Sequence, residues 1–559
     1  MSLKSIRKKL AKPEPSWQLC LLGLLGGTLA SVFIILFRLS IESLQLLYLE
    51  NIDDYTTLSE FQRLITPIIA VTLILALAWL LGFKYTRMGI PFVIHRLKVA
   101  YGSIPFKNTL TQFFGGIFAL AGGFSVGREG PAVHIGAASS SFLGSKLALP
   151  HNAIRTLCAC GIAAGISASF NTPLAAVIFV MEVILREYKL HIFIPVILAS
   201  IIGSMMTNAV FGSFHEYEFF AYLEIDFWHY PLLIILGIFL GFLAKAFNSS
   251  LIYTIKLANN IHMAKRLFIA AILMGIIGVL VPQAMGPGLS AIDLILGENV
   301  AIWLLLSLLV AKFVATVAVL GLGIPGGIIG PTLGIGAVAG AFIAFVVSLI
   351  FPEISFTGDF ALLGMAGMLA ATLNAPLAAL LTIIELSNQL QLALPAMVVI
   401  TSAYLTSSQF LKNRSIFLQQ LELQKLPYQI SPVESVLQKH GVLSHMEHDY
   451  TLLQHANDEQ IKYTLATQTT HQPIIVQSAN EEYKLVQIDL NSHPLEGEDR
   501  AIKTTLMPAI DSQATLSEAY FALYEKREGA VFIYHKSKKK IIGLLAFDKI
   551  RLILTKGNI

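Results

Sequence analysis

The residue with the clearest chemical capacity is a lone carboxylate between glycines in an apolar stretch: Glu129, in Gly127-Arg128-Glu129-Gly130-Pro131. Glycine lets backbone approach a ligand closely, and proline fits the first turn of a helix, so this break reads as a helix start. A helix start presents free N–H groups and roughly half a positive charge, which attracts anions. Two further breaks have the same grammar, Gly102-Ser103-Ile104-Pro105 and Gly326-Gly327-Ile328-Ile329-Gly330-Pro331. None supplies the ring of carboxylates that a cation site needs. Together they predict a dehydrated anion held by amides and a hydroxyl without a full countercharge. A carboxylate at membrane depth is costly unless it has a partner or a task. Paired with Arg128, Glu129 would be structural. Ionised on the amide site, it would stand in for the anion and close the path, and protonation or displacement would open it.

These breaks must be positioned by the elements around them, and those elements repeat. Gly130-Pro131-x-x-x-Ile135-Gly136-Ala137 recurs as Gly330-Pro331-x-x-x-Ile335-Gly336-Ala337, and Asn171-x-Pro173-Leu174-Ala175-Ala176 recurs as Asn374-x-Pro376-Leu377-Ala378-Ala379. Each of the latter pair is followed six residues on by a carboxylate, Glu182 and Glu385. Residues 17–211 and 231–412 therefore read as structural repeats joined by a polar, aromatic stretch at 213–230. Apolar runs long enough to span a bilayer as helices, ~20 residues, lie near 17–38, 62–83, 191–211, 267–287, 300–320 and 391–411. Residues 113–185 and 321–388 are apolar but broken by glycine and proline. Such breaks survive at membrane depth only where protein encloses them, and matching breaks in two repeats point to a transport site.

Composition agrees. Of the 559 residues 55% are apolar and 13% charged, against ~25% charged in soluble proteins. Residues 1–420 hold 42 charged side chains and residues 421–559 hold 32, so the net charge of +4 averages an apolar body and a soluble-looking tail. Disorder, a collagen-like fibre and an ordinary soluble enzyme are excluded. Lys4, Arg7, Lys8, Lys9 and Lys12 precede the first apolar run, which predicts a cytoplasmic N-terminus and a retained first helix rather than a cleaved signal. Cys20, Cys158 and Cys160 stand in apolar surroundings, which predicts buried thiols, with neither a disulfide scaffold nor a metal site. No zinc pattern or nucleophile elbow is present, so no catalytic residues and no enzyme activity are expected.

The motifs resemble those of the CLC family of chloride channels and proton-coupled anion exchangers. Gly127-Arg128-Glu129-Gly130-Pro131 matches the family's G-[KR]-E-G-P, and Asn171-x-Pro173-Leu174-Ala175 with its repeat matches the paired helix starts. The resemblance covers roughly residues 20–420. It implies an all-α polytopic membrane protein with the inverted-repeat CLC-type fold, a transmembrane domain at 17–427 after a basic N-terminus at 1–16, and a homodimer with one pore per subunit. It implies Glu129 as the gating glutamate. Chloride, and by extension other halides or nitrate, would be bound by Ser103 or Gly102 and by the amides of Ile328 and Ile329. Phe417 stands where the family's pore tyrosine does, and lacks its hydroxyl. The serine loop lacks the second glycine of G-S-G-I-P, which leaves the register between Gly102 and Ser103 open. The internal proton-pathway glutamate of many exchangers falls at Val183, which has no relay group. On that ground the reading leans to a Glu129-gated, voltage- or pH-sensitive chloride channel. Proton-coupled exchange is the alternative, and a membrane-anchored nucleotide sensor a remote one. Lys312 is expected to pair with a carboxylate or snorkel, and Glu182 and Glu385 to be structural.

From Tyr428 onward the pattern becomes soluble. Pro473-Ile474-Ile475-Val476-Gln477 and Gly529-Ala530-Val531-Phe532-Ile533-Tyr534 read as buried strands, Leu516 to Arg527 as a helix, Lys536 to Lys540 as a basic turn and Ile541 to Leu545 as a strand before a helix opened by Asp548. This order resembles a CBS (cystathionine β-synthase-type) domain, with 433–490 as its partner, so residues 428–559 are expected to form a cytoplasmic α/β CBS pair. Such a pair implies an adenine nucleotide ligand; a packing module without one is the alternative. The basic run could touch anionic membrane lipid. No nucleic acid partner is expected.

Overall fold

Long apolar segments fold as helices in a bilayer because a helix satisfies every backbone hydrogen bond within itself. The computed structural model describes residues 3–82, 89–212, 227–296, 301–350, 357–467, 472–478, 482–488 and 502–555. Most of the linker expected at 213–230 lies outside these residues, as do parts of the predicted 433–490 partner domain.

A short basic helix, α1 (Leu3–Leu10), precedes two series of eight. The first is α2 (Trp17–Gln45), α3 (Glu60–Leu81), α4 (Ile90–Val99), α5 (Phe106–Ala121), α6 (Glu129–Lys146), α7 (His151–Phe170), α8 (Pro173–Phe179) and α9 (Leu190–Phe211). The second is α10 (Tyr230–Ala258), α11 (Met263–Leu280), α12 (Leu289–Leu296), α13 (Ile302–Leu322), α14 (Ile329–Ile350), α15 (Thr357–Leu373), α16 (Pro376–Ser387) and α17 (Ala393–Tyr404). The two series correspond helix for helix, with α6 matching α14 and α8 matching α16. A further helix, α18 (Ile416–Leu423), follows. Among the described residues nine helical segments are long and apolar enough to cross a membrane, including Tyr230–Ala258, which hydropathy reading had not singled out.

Local chemistry explains the punctuation. The Asn-x-Pro motifs work in two steps: Asn171 and Asn374 adopt left-handed backbone, with φ of +55° and +56°, and end α7 and α15. Pro173 and Pro376 then open α8 and α16, where their missing N–H costs nothing. Ser59 caps α3 in a reciprocal box with Gln62. After α8 the chain makes a π-helical turn, Val180–Leu185, which carries Glu182 and Val183.

The chain divides into two units: Cys20–Leu143 with Arg155–Tyr428, and Met1–Leu19 with Gly144–Ile154 and Gln429–Ile559. The first is all helical. Its main core runs through α4, α6 to α10 and α12 to α18, with Val133, Ala163, Val180, Phe247, Ile335, Phe360 and Phe417 all buried.

The second unit is mixed. After α19 (Pro432–Leu437) it holds β1 (Thr451–Gln454), α20 (Asp458–Thr467), β2 (Ile474–Gln477), β3 (Tyr483–Ile488) and β4 (Ile502–Leu506). Then come β5 (Ala509–Asp511), α21 (Leu516–Leu523), β6 (Ala530–His535), β7 (Ser537–Ala546) and α22 (Phe547–Thr555). One sheet has the order β1-β2-β3-β4 and the other β5-β6-β7. In each, a parallel pair is joined through a helix and extended by an antiparallel strand. This doubled pattern fits a CBS pair. The basic run differs from expectation: the turn is confined to Lys536, at φ +64°, and Ser537 onward is strand β7. Three separated segments join this unit, since the Gly441 amide donates to the Ala11 carbonyl (2.8 Å) and the Gln513 side chain donates to Leu149 O (2.8 Å).

Candidate functional site

The two predicted helix starts meet. Gly127 and Gly327 form an antiparallel bridge, with Gly127 N donating to Gly327 O (2.9 Å) and Gly327 N to Gly127 O (2.7 Å). This contact joins the loops before α6 and α14 at the same point of each repeat. Glu129, the first residue of α6, is 1% exposed, and its Oε1 accepts from Gly330 N of α14 at 3.0 Å. Its Oε2 has no hydrogen-bond partner. A Cβ at either Gly127 or Gly327 would overlap this carboxylate, so glycine at both positions makes the cradle in which it lies.

A cavity lies on each side. One, of about 50 Å³, is lined by Gly130, Gly326, Gly327 and Ile328, with Pro91, Gln112, Phe417 and Gln420 completing its wall. The other, also about 50 Å³, is lined by Gly127, Arg128, Glu129 and Gly330 together with Arg38, Glu42 and Asp53. Each has room for a few water-sized or ion-sized occupants. The Glu129 carboxylate lines the second, and Gly327, which cradles it, lines the first. The Arg128 guanidinium lies over the Phe170 ring, 4.8 Å from the centroid.

The structure brings Glu129, Ile328 and Phe417 to this place, and Ile329 opens α14 beside them. Phe417 is 2% exposed and closes the cavity with an apolar ring. Gly102 and Ser103 are elsewhere. They form the turn before α5, Ser103 is exposed, its carbonyl accepts from Arg96 Nε (2.7 Å), and neither residue lines the cavity. The loop that reaches the cavity from this part of the chain is the start of α4, where Ile90 and Pro91 are in the wall. The signal was present as Gly89-Ile90-Pro91, the last three residues of the pattern sought at 102–105. Residues 83–88, just before it, lie outside the described set.

Other membrane-depth charges find backbone partners. Lys312 is fully buried, and rather than pairing with a carboxylate or snorkelling, its ammonium donates to the carbonyls of Ala284 (3.1 Å) and Gly286 (2.6 Å). Glu182 accepts from the amides of Leu377 (3.3 Å) and Ala378 (2.7 Å), at the start of α16. Glu385 accepts from Leu174 (2.8 Å) and Ala175 (2.7 Å), at the start of α8. Each repeat thus caps the other's helix, as a pseudo-two-fold relation requires. Val183 packs in the core at 6% exposure, and Cys158 and Cys160 are fully buried free thiols.

Comparison with known proteins decides the family. A family model described as voltage gated chloride channel matches residues 70–408. The chain belongs to this family. Within the family it is 29% identical over 464 residues to the H(+)/Cl(-) exchange transporter ClcA of Vibrio cholerae serotype O1 (strain M66-2), covering 77% of this chain and 95% of the relative. Its fold is shared with a slow cyanobacterial Cl-/H+ antiporter, at TM-score 0.64, 22% identity and coverage of 73% of this chain and 97% of that one. A eukaryotic CLC transporter matches at TM-score 0.63 and 19% identity, covering 98% of this chain and 99% of that one. The family is one of ion transporters, and the protein is an integral, multi-pass membrane protein.

These relatives overturn the channel reading, since those named for an activity are exchangers. The physical reason lies in the inference from Val183. One missing carboxylate removes one relay group; it does not show that a proton has no other route to Glu129.

Proposed function

We propose that the protein exchanges chloride for protons across a membrane, with Glu129 as the group that meets both ions. The observation that carries this reading is the Glu129 carboxylate lying in the Gly127–Gly327 cradle, on the Gly330 amide and between two cavities. An ionised carboxylate there is chemically a tethered anion. It competes with chloride for amides that carry only partial positive charge. When Glu129 takes a proton it loses its charge and leaves the amides to chloride; when it gives the proton up it returns. Proton and chloride occupancy of one seat are thereby mutually dependent, which is the requirement for coupled exchange.

Chloride in the cavity beside Phe417 would meet the backbone of Gly326, Gly327 and Ile328, with Ile329 next in the chain, and the Phe417 ring in place of a hydroxyl. A site of this kind, weak and without a full countercharge, also lets the ion leave. Lys312 is engaged by carbonyls and does not serve as its counterion. The names of the relatives support the reading. It extends to a homodimer with one path per subunit, both termini in the cytoplasm as the basic N-terminus favours, and an adenine nucleotide at residues 428–559. A rise in the melting temperature of the full chain with ATP tests the last.

The test of the central reading is Glu129→Ala in liposomes. Chloride efflux should persist and lose its pH dependence, while coupled proton movement falls by about a hundredfold. Proton movement at the wild-type ratio to chloride would refute the role of Glu129.

A further inference from the structure

The two repeats treat one buried position differently. In the second repeat Lys312, on α13, reaches the position of Gly334 on α14, where a Cβ would stand 3.6 Å from Lys312 Cε. Its ammonium is fully engaged by carbonyls, so this pair leaves no polar atom unsatisfied. The equivalent positions in the first repeat, 200 residues earlier, are Gln112 on α5 and His134 on α6. Both are buried, at 1% and 0% exposure. The Gln112 side-chain carbonyl and both ring nitrogens of His134 have no hydrogen-bond partner. Buried polar atoms left unpaired are costly, and stable interiors avoid them.

We infer that His134 is the internal proton relay of this protein, supplying at α6 the protonatable group that the Val183 position lacks. The inference rests on the exchange reading above.

Its placement fits. His134 is five residues beyond Glu129 on one helix, about 7.5 Å along the axis. The ring stacks on Phe92 of α4 (5.6 Å between centroids, 11° between planes), which holds it while leaving its in-plane nitrogens free to exchange a proton. The cavity beside Phe417 is lined by Gln112 and Gly130, so water in it stands beside the repeat equivalent of Lys312 and the residue that follows Glu129. Gln112 lies one turn before Gly116, which abuts the Pro131 ring, and His134 lies one turn beyond Pro131.

The proton balance is simple. Hydronium in the cavity protonates a ring nitrogen and becomes water. The imidazolium then passes the proton to the Glu129 carboxylate as it leaves its amides, and the imidazole returns to neutral.

Several titratable groups on α4, α7 and α2 are engaged elsewhere or are buried thiols, His151 at the start of α7 pairs with Glu518 (3.0 Å), Lys107 lies at the exposed start of α5, and Cys20 on α2 is a free thiol. On α4, His95 Nδ1 bonds the Pro427 carbonyl, Arg96 bonds Ser103 O, and Lys98 bonds Leu185 O. On α7, Arg155 pairs with Glu187 (3.4 Å), and Cys158 and Cys160 are buried thiols. On α2, Arg38 pairs with Glu42 (2.6 Å).

The test uses the full-length protein in phosphatidylethanolamine–phosphatidylglycerol vesicles, with chloride efflux and external pH recorded together. The wild type should take up protons in step with chloride loss. In His134→Leu, chloride efflux should stay within about threefold of wild type while proton uptake falls at least about tenfold. If His134→Leu does not reconstitute, His134→Gln decides: it keeps a polar side chain of similar size without accepting a proton, and should show the same loss. A variant whose proton-to-chloride ratio equals that of the wild type overturns the inference and leaves exchange standing. A wild type that moves chloride with no protons overturns both.

Discussion

At the scale of single residues, what matters is which polar groups are satisfied and by what. Glu129 was legible from its neighbours, because glycine, arginine and proline around a lone carboxylate allow few local structures. The amide it uses was not, since Gly330 lies 201 residues away. Gly102-Ser103-Ile104-Pro105 misled for a related reason. A helix start can be read from Gly and Pro, but which of two starts turns inward depends on packing, and Gly89-Ile90-Pro91 is the one at the cavity. Away from the membrane, His440 Nδ1 and His445 Nε2 lie 3.1 Å apart in the second unit. Burial, with the neighbouring His440 adding to it, pushes His445 down from its ordinary value of 6.5 to about 4. The unfolded chain therefore binds a proton here between pH 6.5 and 4 while the folded one does not. Stability of this unit should fall as pH drops through that window. His445→Gln should flatten the fall, read as thermal unfolding of the full chain by tail-specific hydrogen exchange. An unchanged pH slope would exclude His445 as its source.

Elements show why the repeats were easier to see than their purpose. The matching Asn-x-Pro and Gly-Pro strings announced two halves, and Glu182 and Glu385 were visible at equivalent places. That each caps the other half's helix needs the fold, because no local pattern says which amides a carboxylate will reach. Glu182→Gln removes the charge and one of the two acceptors, and should cost about 1–2 kcal/mol of stability. The proton-to-chloride ratio should not move; a lost ratio with unchanged melting would make Glu182 a transport group instead. The cradle makes a sharper prediction. In Gly327→Ala the new methyl overlaps the Glu129 carboxylate, so chloride flux should lose its pH dependence as in Glu129→Ala. A wild-type pH profile in Gly327→Ala would show that the carboxylate does not work from this seat.

At the scale of the whole molecule, a mean hydropathy of +0.69 and a charge-rich tail were enough to separate a membrane body from a soluble-type domain. Hydropathy missed Tyr230–Ala258 as a span and could not choose between channel and exchanger, because that choice turns on proton traffic through a few buried groups. Val183 was one such group and pointed the wrong way. If chloride and protons share the Glu129 seat, they move in opposite directions together. The direct measurement is chloride efflux from liposomes holding the wild-type protein, with external pH followed at the same time and no other gradient applied. The medium should turn alkaline in fixed proportion to the chloride released. Chloride release with no change in external pH would contradict it.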